Sequence, residues 1–77
     1  MAYNRVHMRI YQDAVDILEA NKGGLTFDEL YQRLDRKYGN GRTLNRRFLS
    51  KIIGNLFANK KLQTYKLDGQ KILQVKE

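Results

Sequence analysis

The spacing of apolar residues changes once along the chain, and this change constrains the fold more than any other feature. Up to residue 59, apolar side chains recur at intervals of three and four residues, which is typical of helices. After Lys60 and Lys61 they alternate with polar residues in two runs that flank Asp68 and Gly69. Asp-Gly between such runs indicates a hairpin, because both central residues of a type I′ turn need positive φ. The sequence therefore predicts helices followed by one β-hairpin over residues 62–75.

Glycine-containing segments divide the helical part into three. The first helix is predicted over residues 3–21, and Gly23 and Gly24 close it, because glycine adopts the left-handed conformation found at helix ends. The second helix is predicted from Phe27 to Tyr38, preceded by a short strand near residue 25. Thr26 and Glu29 have the spacing of a capping box, in which each side chain accepts a hydrogen bond from the other residue's amide.

The third helix is predicted over residues 43–59, with Thr43 as its N-cap after a glycine-containing turn. Its two faces differ. One is a broad apolar stripe suited to a core, formed by Leu44, Phe48, Leu49, Ile52, Ile53, Leu56 and Phe57. The other is basic and small, formed by Arg47, Ser50, Lys51, Gly54 and Ala58. Gly54 costs about 1 kcal/mol relative to Ala inside a helix, so we expect either a neighbouring element or a ligand to pack closely there.

A two-residue turn fixes the register of the hairpin, with Leu67 opposite Gln70 and Lys66 opposite Lys71. One face then carries Leu62, Thr64, Leu73 and Val75, and we expect it to meet the core. The other carries Tyr65, Leu67 and Ile72, which we expect to be partly exposed. A lone hairpin is only marginally stable, so this one should pack on the helices.

Size and composition narrow the class of protein. We expect residues 1–77 to form a single domain with a small core. The chain has no cysteine and one histidine, His7, which argues against disulfides and the usual zinc sites. No catalytic constellation, metal site, cofactor motif, signal peptide or membrane span is recognisable. We therefore expect a non-enzymatic protein without cofactor or membrane partner, cytoplasmic or nucleoid-associated.

The formal net charge of +7 favours a polyanionic partner over an uncharged one. The charges are also segregated along the chain. Most acidic residues lie between residues 13 and 35, whereas from residue 36 onward basic residues greatly outnumber Asp68 and Glu77. This asymmetry indicates a basic face more than a uniformly charged surface.

The predicted order is three helices followed by a β-hairpin, and the second and third helices form a helix-turn-helix. This arrangement resembles the winged-helix family over nearly the whole chain. The resemblance rests on element order, lengths and turn signals rather than on a fixed motif. It implies an α+β fold in which residues 43–59 form the recognition helix for the major groove of DNA. It also implies that residues 62–75 form a wing on the DNA backbone or in the minor groove.

The basic and polar residues of these two elements are the predicted DNA contacts. Arg46 and Arg47 occupy the first turn of the third helix, where the helix dipole disfavours cations, and a docked phosphate would resolve this conflict. Arg47, Ser50 and Lys51 are the candidates for reading base edges. Lys66 and Lys71 repel each other across the hairpin, and an anion nearby would relieve that repulsion. The full predicted set is Arg42, Thr43, Arg46, Arg47, Ser50, Lys51, Asn55, Lys60, Lys61, Lys66 and Lys71.

Each of these signals has an alternative explanation. The arginines of the third helix could be solvated or could pair with acids of the first helix, and the lysines of the hairpin could protect an exposed strand edge. A winged helix can also serve as a protein-interaction module of a transcription or replication assembly, with Tyr65, Leu67 and Ile72 as its contact patch. A homodimer through the first helix or the exposed wing face is left open, because nothing in the sequence selects an interface.

Overall fold

The computed structural model of the protein describes residues 5–39 and 44–76. It is an α+β structure of three helices and a three-stranded antiparallel sheet. The elements are α1 (Arg5–Ala20), β1 (Leu25–Thr26), α2 (Phe27–Tyr38), α3 (Arg46–Ala58), β2 (Leu62–Leu67) and β3 (Gln70–Val75). None of the helices in the described residues has the length and apolar character needed to cross a membrane.

The predictions for the second helix and the strand before it are confirmed. α2 begins at Phe27 and ends at Tyr38. Glu29 N donates to Thr26 Oγ1 at 3.1 Å, and Thr26 N donates to Glu29 Oε1 at 2.9 Å, which is the expected capping box. β1 pairs with β3, so β3 lies between β1 and β2 in the sheet. The first helix ends at Ala20, one residue earlier than predicted, and its predicted start at residue 3 lies outside the described residues.

The predicted start of the third helix is wrong. α3 begins at Arg46, and its N-cap is Asn45 rather than Thr43. Asn45 Oδ1 accepts a hydrogen bond from Phe48 N at 2.8 Å, and the extended backbone of Asn45 is what an N-cap residue requires. Leu44, directly before the cap, is buried in the core. Thr43 itself lies outside the described residues.

The predicted hairpin register is confirmed, with Lys66 opposite Lys71 and Leu67 opposite Gln70. Asp68 and Gly69 both have positive φ, at 52° and 80°, as a type I′ turn requires. The predicted exposure pattern is partly wrong, because Thr64 is exposed although its face carries the buried Leu62 and Leu73. In β2, Leu62 is buried and the other five residues are exposed, so most of this edge strand extends beyond the core.

Ile72 was expected on the partly exposed face of the hairpin, but its side chain is only 7% exposed. The segment that leads into β1 covers it. Thr26 pairs with Ile72 in the sheet, and Gly24, with φ of 95°, lies so close that a Cβ there would collide with the Ile72 side chain. The exposed apolar surface of this face is therefore reduced to Tyr65 and Leu67.

One hydrophobic core joins the three helices to the sheet. α1 packs against α2 and β3, while α3 packs against β2. The fully buried large side chains are Ile10, Leu18, Leu30, Leu34 and Leu49. Within the described residues, the core contains no buried polar or charged side chain and no buried side-chain nitrogen or oxygen lacks a hydrogen bond. Within the core, each helix is therefore oriented by its apolar stripe.

Candidate nucleic-acid interface

Among the described residues, the outward face of α3 is the largest part of the predicted interface. Five apolar side chains of α3 are buried: Phe48, Leu49, Ile52, Ile53 and Leu56. Because successive helical residues turn by about 100°, this burial directs Arg47 and Gly54 straight outward. Ser50 and Lys51 lie to either side of that line, and all four residues are exposed. The structure thus brings the predicted base-reading residues onto one face that the described residues leave exposed.

The β2–β3 hairpin lies beside this face. Lys71 Nζ is 5.9 Å from the centroid of the Phe57 ring on α3, a distance at which a cation is attracted to an aromatic face. Ser50 of α3 and Lys71 of β3 line the same hollow of about 190 Å³, together with Phe27, Ile53 and Leu73. The sheet therefore places one predicted lysine of the hairpin next to a predicted polar residue of the helix.

Arg46 has partners among the described residues. Its Nη1 atom donates to Asp28 Oδ1 at 2.6 Å, and its guanidinium carbon lies 4.9 Å from the centroid of the Tyr31 ring. The hydrogen bond to Asp28 raises the pKa of Arg46 above its usual value. The position of Arg46 at the start of α3 thus has an explanation besides a bound polyanion, and the partner belongs to α2 rather than to the first helix.

Arg47, by contrast, pairs with no acidic side chain in residues 5–39 and 44–76. It is exposed at the second position of α3, where the positive end of the helix dipole disfavours a cation. An external anion at the start of α3 would therefore offset the unfavourable position of Arg47, whereas Asp28 already offsets that of Arg46.

The end of α3 places Lys60 in an unusual backbone conformation. Lys61 N donates to Leu56 O at 2.9 Å and Lys60 N donates to Phe57 O at 3.0 Å, which together form a Schellman motif. Lys60 has φ of 58°, at the position where glycine is usual. A residue with a side chain carries a local energetic cost in this conformation. Backbone preference alone would therefore favour glycine over a lysine at the junction of α3 and β2.

Gly54 lies in the middle of the outward face, and a Cβ built there would meet no atom of the described residues within 4 Å beyond the backbone of its own helix. We expected either a neighbouring element or a ligand to pack closely at this glycine. No neighbouring element of the described chain does so. The other explanation, close approach by a molecule from outside, stays a prediction.

The other predicted contacts are spread around this surface. Lys66 and Lys71 oppose each other in the hairpin, and Lys60, Lys61 and Lys66 are exposed. Asn55 is exposed, and its Oδ1 accepts a hydrogen bond from Asn59 Nδ2 at 2.7 Å, which ties it to the end of α3. Arg42 and Thr43 lie outside the described residues.

Sequence reasoning missed the residues that support the predicted contacts. Asp28 and Tyr31 hold Arg46, and Phe57 lies against Lys71. No local pattern in the sequence joins these residues, since each pair is brought together by the packing of two different elements. Phe57 was predicted as part of the apolar stripe, and its half-buried position is what leaves its ring accessible to Lys71.

The ring of His7 on α1 packs against α3. Its ring centroid lies 4.7 Å from that of Phe48. In the described part of the chain, no group of three or more His, Cys, Asp or Glu side chains is arranged to hold a metal ion.

No protein-family model matches the chain, and no characterised protein or solved structure matches it either.

Proposed function

We propose that this chain is a winged helix-turn-helix module that binds double-stranded DNA as a transcriptional regulator or architectural factor inside the cell. In this proposal α3 is the recognition helix and the β2–β3 hairpin is the wing. The observation that carries it is the outward face of α3, which is basic, uncovered by the described chain and flat at Gly54. Its 13 residues span about 20 Å, and the major groove is wide enough to admit a helix.

Several local costs to stability fall on this one surface, which supports a ligand that offsets them. Arg47 opposes the helix dipole, Gly54 weakens the helix, and Lys60 has a left-handed backbone. Lys66 and Lys71 add a cross-strand repulsion. A polyanion would be attracted to these cations, and the missing side chain at Gly54 would let it come close. Duplex DNA is such a polyanion.

The two elements have different roles in the proposal. Arg47, Ser50 and Lys51 reach base edges, because they project from the centre of the outward face. Lys60, Lys61, Lys66 and Lys71 contact phosphates, because they extend the basic surface from the end of α3 along the hairpin. Arg46 is held by Asp28 and contributes to the positive potential more than to a direct contact.

The test is a titration of fluorescent duplexes with the protein at several salt concentrations. We expect affinity to fall steeply as salt rises, because each neutralised phosphate releases counterions. Arg47→Ala should cost about 1–3 kcal/mol on a preferred sequence and relax the preference. Lys66→Ala with Lys71→Ala should weaken all duplexes alike and reduce the salt slope by about one per lysine.

Arg33→Ala is the matched control, since it removes one exposed arginine from α2, where its neighbours Glu29, Gln32 and Arg36 belong to the same helix. It should change the affinity little. Absence of duplex binding by the unmodified chain at low salt would reject the proposal.

A protein-interaction module is the second candidate, supported by two exposed apolar side chains on the hairpin. Tyr65 is 39% exposed and Leu67 is 55% exposed. Ile72 is buried and does not join them, and the Tyr65 hydroxyl donates to Gly23 O at 2.5 Å. The patch is thus smaller than the sequence predicts, which favours DNA binding over this candidate.

A further inference from the structure

The outward face of α1 has charges arranged contrary to the dipole of its own helix. Arg5 and Arg9 lie in its N-terminal half, whereas Asp16 and Glu19 lie in its C-terminal half. α1 has no acidic residue in its first turn and no basic residue in its last turn, which is the reverse of what stabilises an isolated helix.

These four charges are also unpaired within the described chain. All four residues are exposed, and the ion pairs of residues 5–39 and 44–76 involve other side chains. Asp16 accepts one hydrogen bond, from Gln12 Nε2 at 2.9 Å. Ion pairs within the described chain thus leave the arrangement unexplained, although Arg9 also acts electrostatically on Asp13, and Glu19 lines hollows with Lys22, Lys61 and Lys76.

The arrangement is self-complementary about Gln12. Arg5 and Glu19 lie seven residues to either side of Gln12, and Arg9 and Asp16 lie three and four residues to either side. Suppose that α1 of a second copy packs antiparallel against this helix, with the two Gln12 residues side by side. Each arginine then faces an acidic residue of the other copy. The two helix dipoles then also oppose each other favourably.

An apolar contact has the same symmetry. Met8 is 62% exposed, and Val15 is half-buried on the same flank of α1, because seven residues make nearly two helical turns. In an antiparallel pair, like flanks meet, so Met8 of one copy lies against Val15 of the other. The exposed methionine thereby gains a partner without any change in the fold of either chain.

We propose that the outward face of α1 binds a second copy of this chain, with the two α1 helices antiparallel and centred on Gln12. Four ion pairs form across the two-fold axis, two between Arg5 and Glu19 and two between Arg9 and Asp16. Because these pairs are solvent-exposed, the association is weak and sensitive to salt.

Sedimentation equilibrium of the full chain without nucleic acid tests this proposal separately from the proposed function. At low salt we expect a concentration-dependent mass approaching twice the 9.1 kDa of the monomer. At high salt we expect the monomer mass, since salt screens exposed ion pairs. A wild-type chain that stays monomeric at low salt at every concentration would overturn the proposal.

Charge reversal gives a sharper test. Arg5→Glu with Arg9→Glu makes the face wholly acidic, and Asp16→Lys with Glu19→Lys makes it wholly basic. Each double variant alone should be monomeric, and an equimolar mixture should regain the dimer mass. Both variants improve the match between charge and helix dipole, and recovery of the dimer mass on mixing shows that a loss of association by each alone is not due to a weakened fold.

Arg33→Glu with Arg36→Glu on α2 is the control, because it changes the net charge as much as the acidic variant does. It should dimerise like the wild type. Failure of the two complementary variants to associate on mixing, or dimerisation of either one alone, would overturn the proposal.

Discussion

At the scale of single residues, Gly54 is the position where stability and the proposed function conflict most directly. It lies inside α3 on the exposed face, where the rest of the described structure comes no closer than 4 Å to the position of a Cβ, the backbone of α3 itself aside. Glycine in a helix interior is less favourable than alanine because it loses more backbone entropy on folding. A chain selected for stability alone would have a side chain here.

We expect Gly54→Ala to stabilise the protein by about 0.8–1 kcal/mol, which corresponds to a rise in Tm of about 4–8 °C for a domain of this size. The same change should weaken duplex binding, because the methyl group projects into the proposed contact surface. Thermal unfolding and a duplex titration on the same samples measure the two effects.

Gly23→Ala is the matched control for that substitution. A Cβ at Gly23 would also meet no atom within 4 Å, but Gly23 lies in the loop between α1 and β1. It should leave duplex affinity unchanged. If Gly54→Ala raises Tm and binding is unaffected, close approach of DNA at Gly54 is wrong.

At the scale of secondary-structure elements, the start of α3 depends on one side chain. Asn45 Oδ1 satisfies the Phe48 amide, which would otherwise lack a partner within the helix. The sequence predicts Thr43 as the N-cap, whereas the structure has Asn45, a residue of an equally favoured type. Leu44, directly before Asn45, is buried in the core.

We expect Asn45→Ala to destabilise the protein by about 1 kcal/mol, because it removes the cap, and Asn45→Ser to retain most of the stability. Urea unfolding measures both variants. Equal stability of the alanine and serine variants would contradict the assignment of Asn45 as the cap. In the alanine variant we also expect weaker duplex binding, since Arg47 lies in the turn that the cap orders.

At the scale of the whole molecule, a hydrogen-bonded group between α1 and α2 makes stability depend on pH. The Tyr38 hydroxyl donates to Asp13 Oδ2, and Lys37 Nζ lies 3.1 Å from the same oxygen. The hydrogen bond from Tyr38, with Lys37 nearby, holds the pKa of Asp13 below 3.8 although burial opposes the shift. Burial and then the hydrogen bond to Asp13 raise the pKa of Tyr38 from 10.0 to about 12.

The two groups act at opposite ends of the pH scale. The lowered pKa of Asp13 gives stability that is present above pH 3.8 and is lost as the pH falls through the folded-state pKa. The raised pKa of Tyr38 gives stability that is present below pH 10.0 and is lost as the pH rises toward 12. Stability should therefore decline on both the acidic and the alkaline side of a broad maximum.

We expect Tyr38→Phe to lower the free energy of unfolding by about 1 kcal/mol near neutral pH and to flatten both declines. Urea unfolding in acidic, neutral and alkaline buffers measures these changes. Tyr11→Phe, which leaves the Asp13 group intact, should keep the wild-type pH dependence. An unchanged alkaline decline in the Tyr38→Phe variant would show that another group causes it.

The sequence by itself determined the features that depend on neighbours along the chain. The spacing of apolar residues determined whether each element is a helix or a strand. Buried residues recur every three or four positions in a helix and every second position in a strand. The capping box at Thr26 fixed the start of α2, and Asp68-Gly69 fixed the register of the hairpin, because both are local hydrogen-bonding or backbone requirements. The basic face of α3 followed from the same periodicity.

Only the tertiary structure decided which residues are covered and which charges find partners. Ile72 is buried because β1 and Gly24 lie over it, and Arg46 is held because α2 brings Asp28 to it. Arg47, one residue further, is left without an acidic partner in the described chain. These outcomes depend on contacts between residues far apart in the sequence, and no local pattern carries that information.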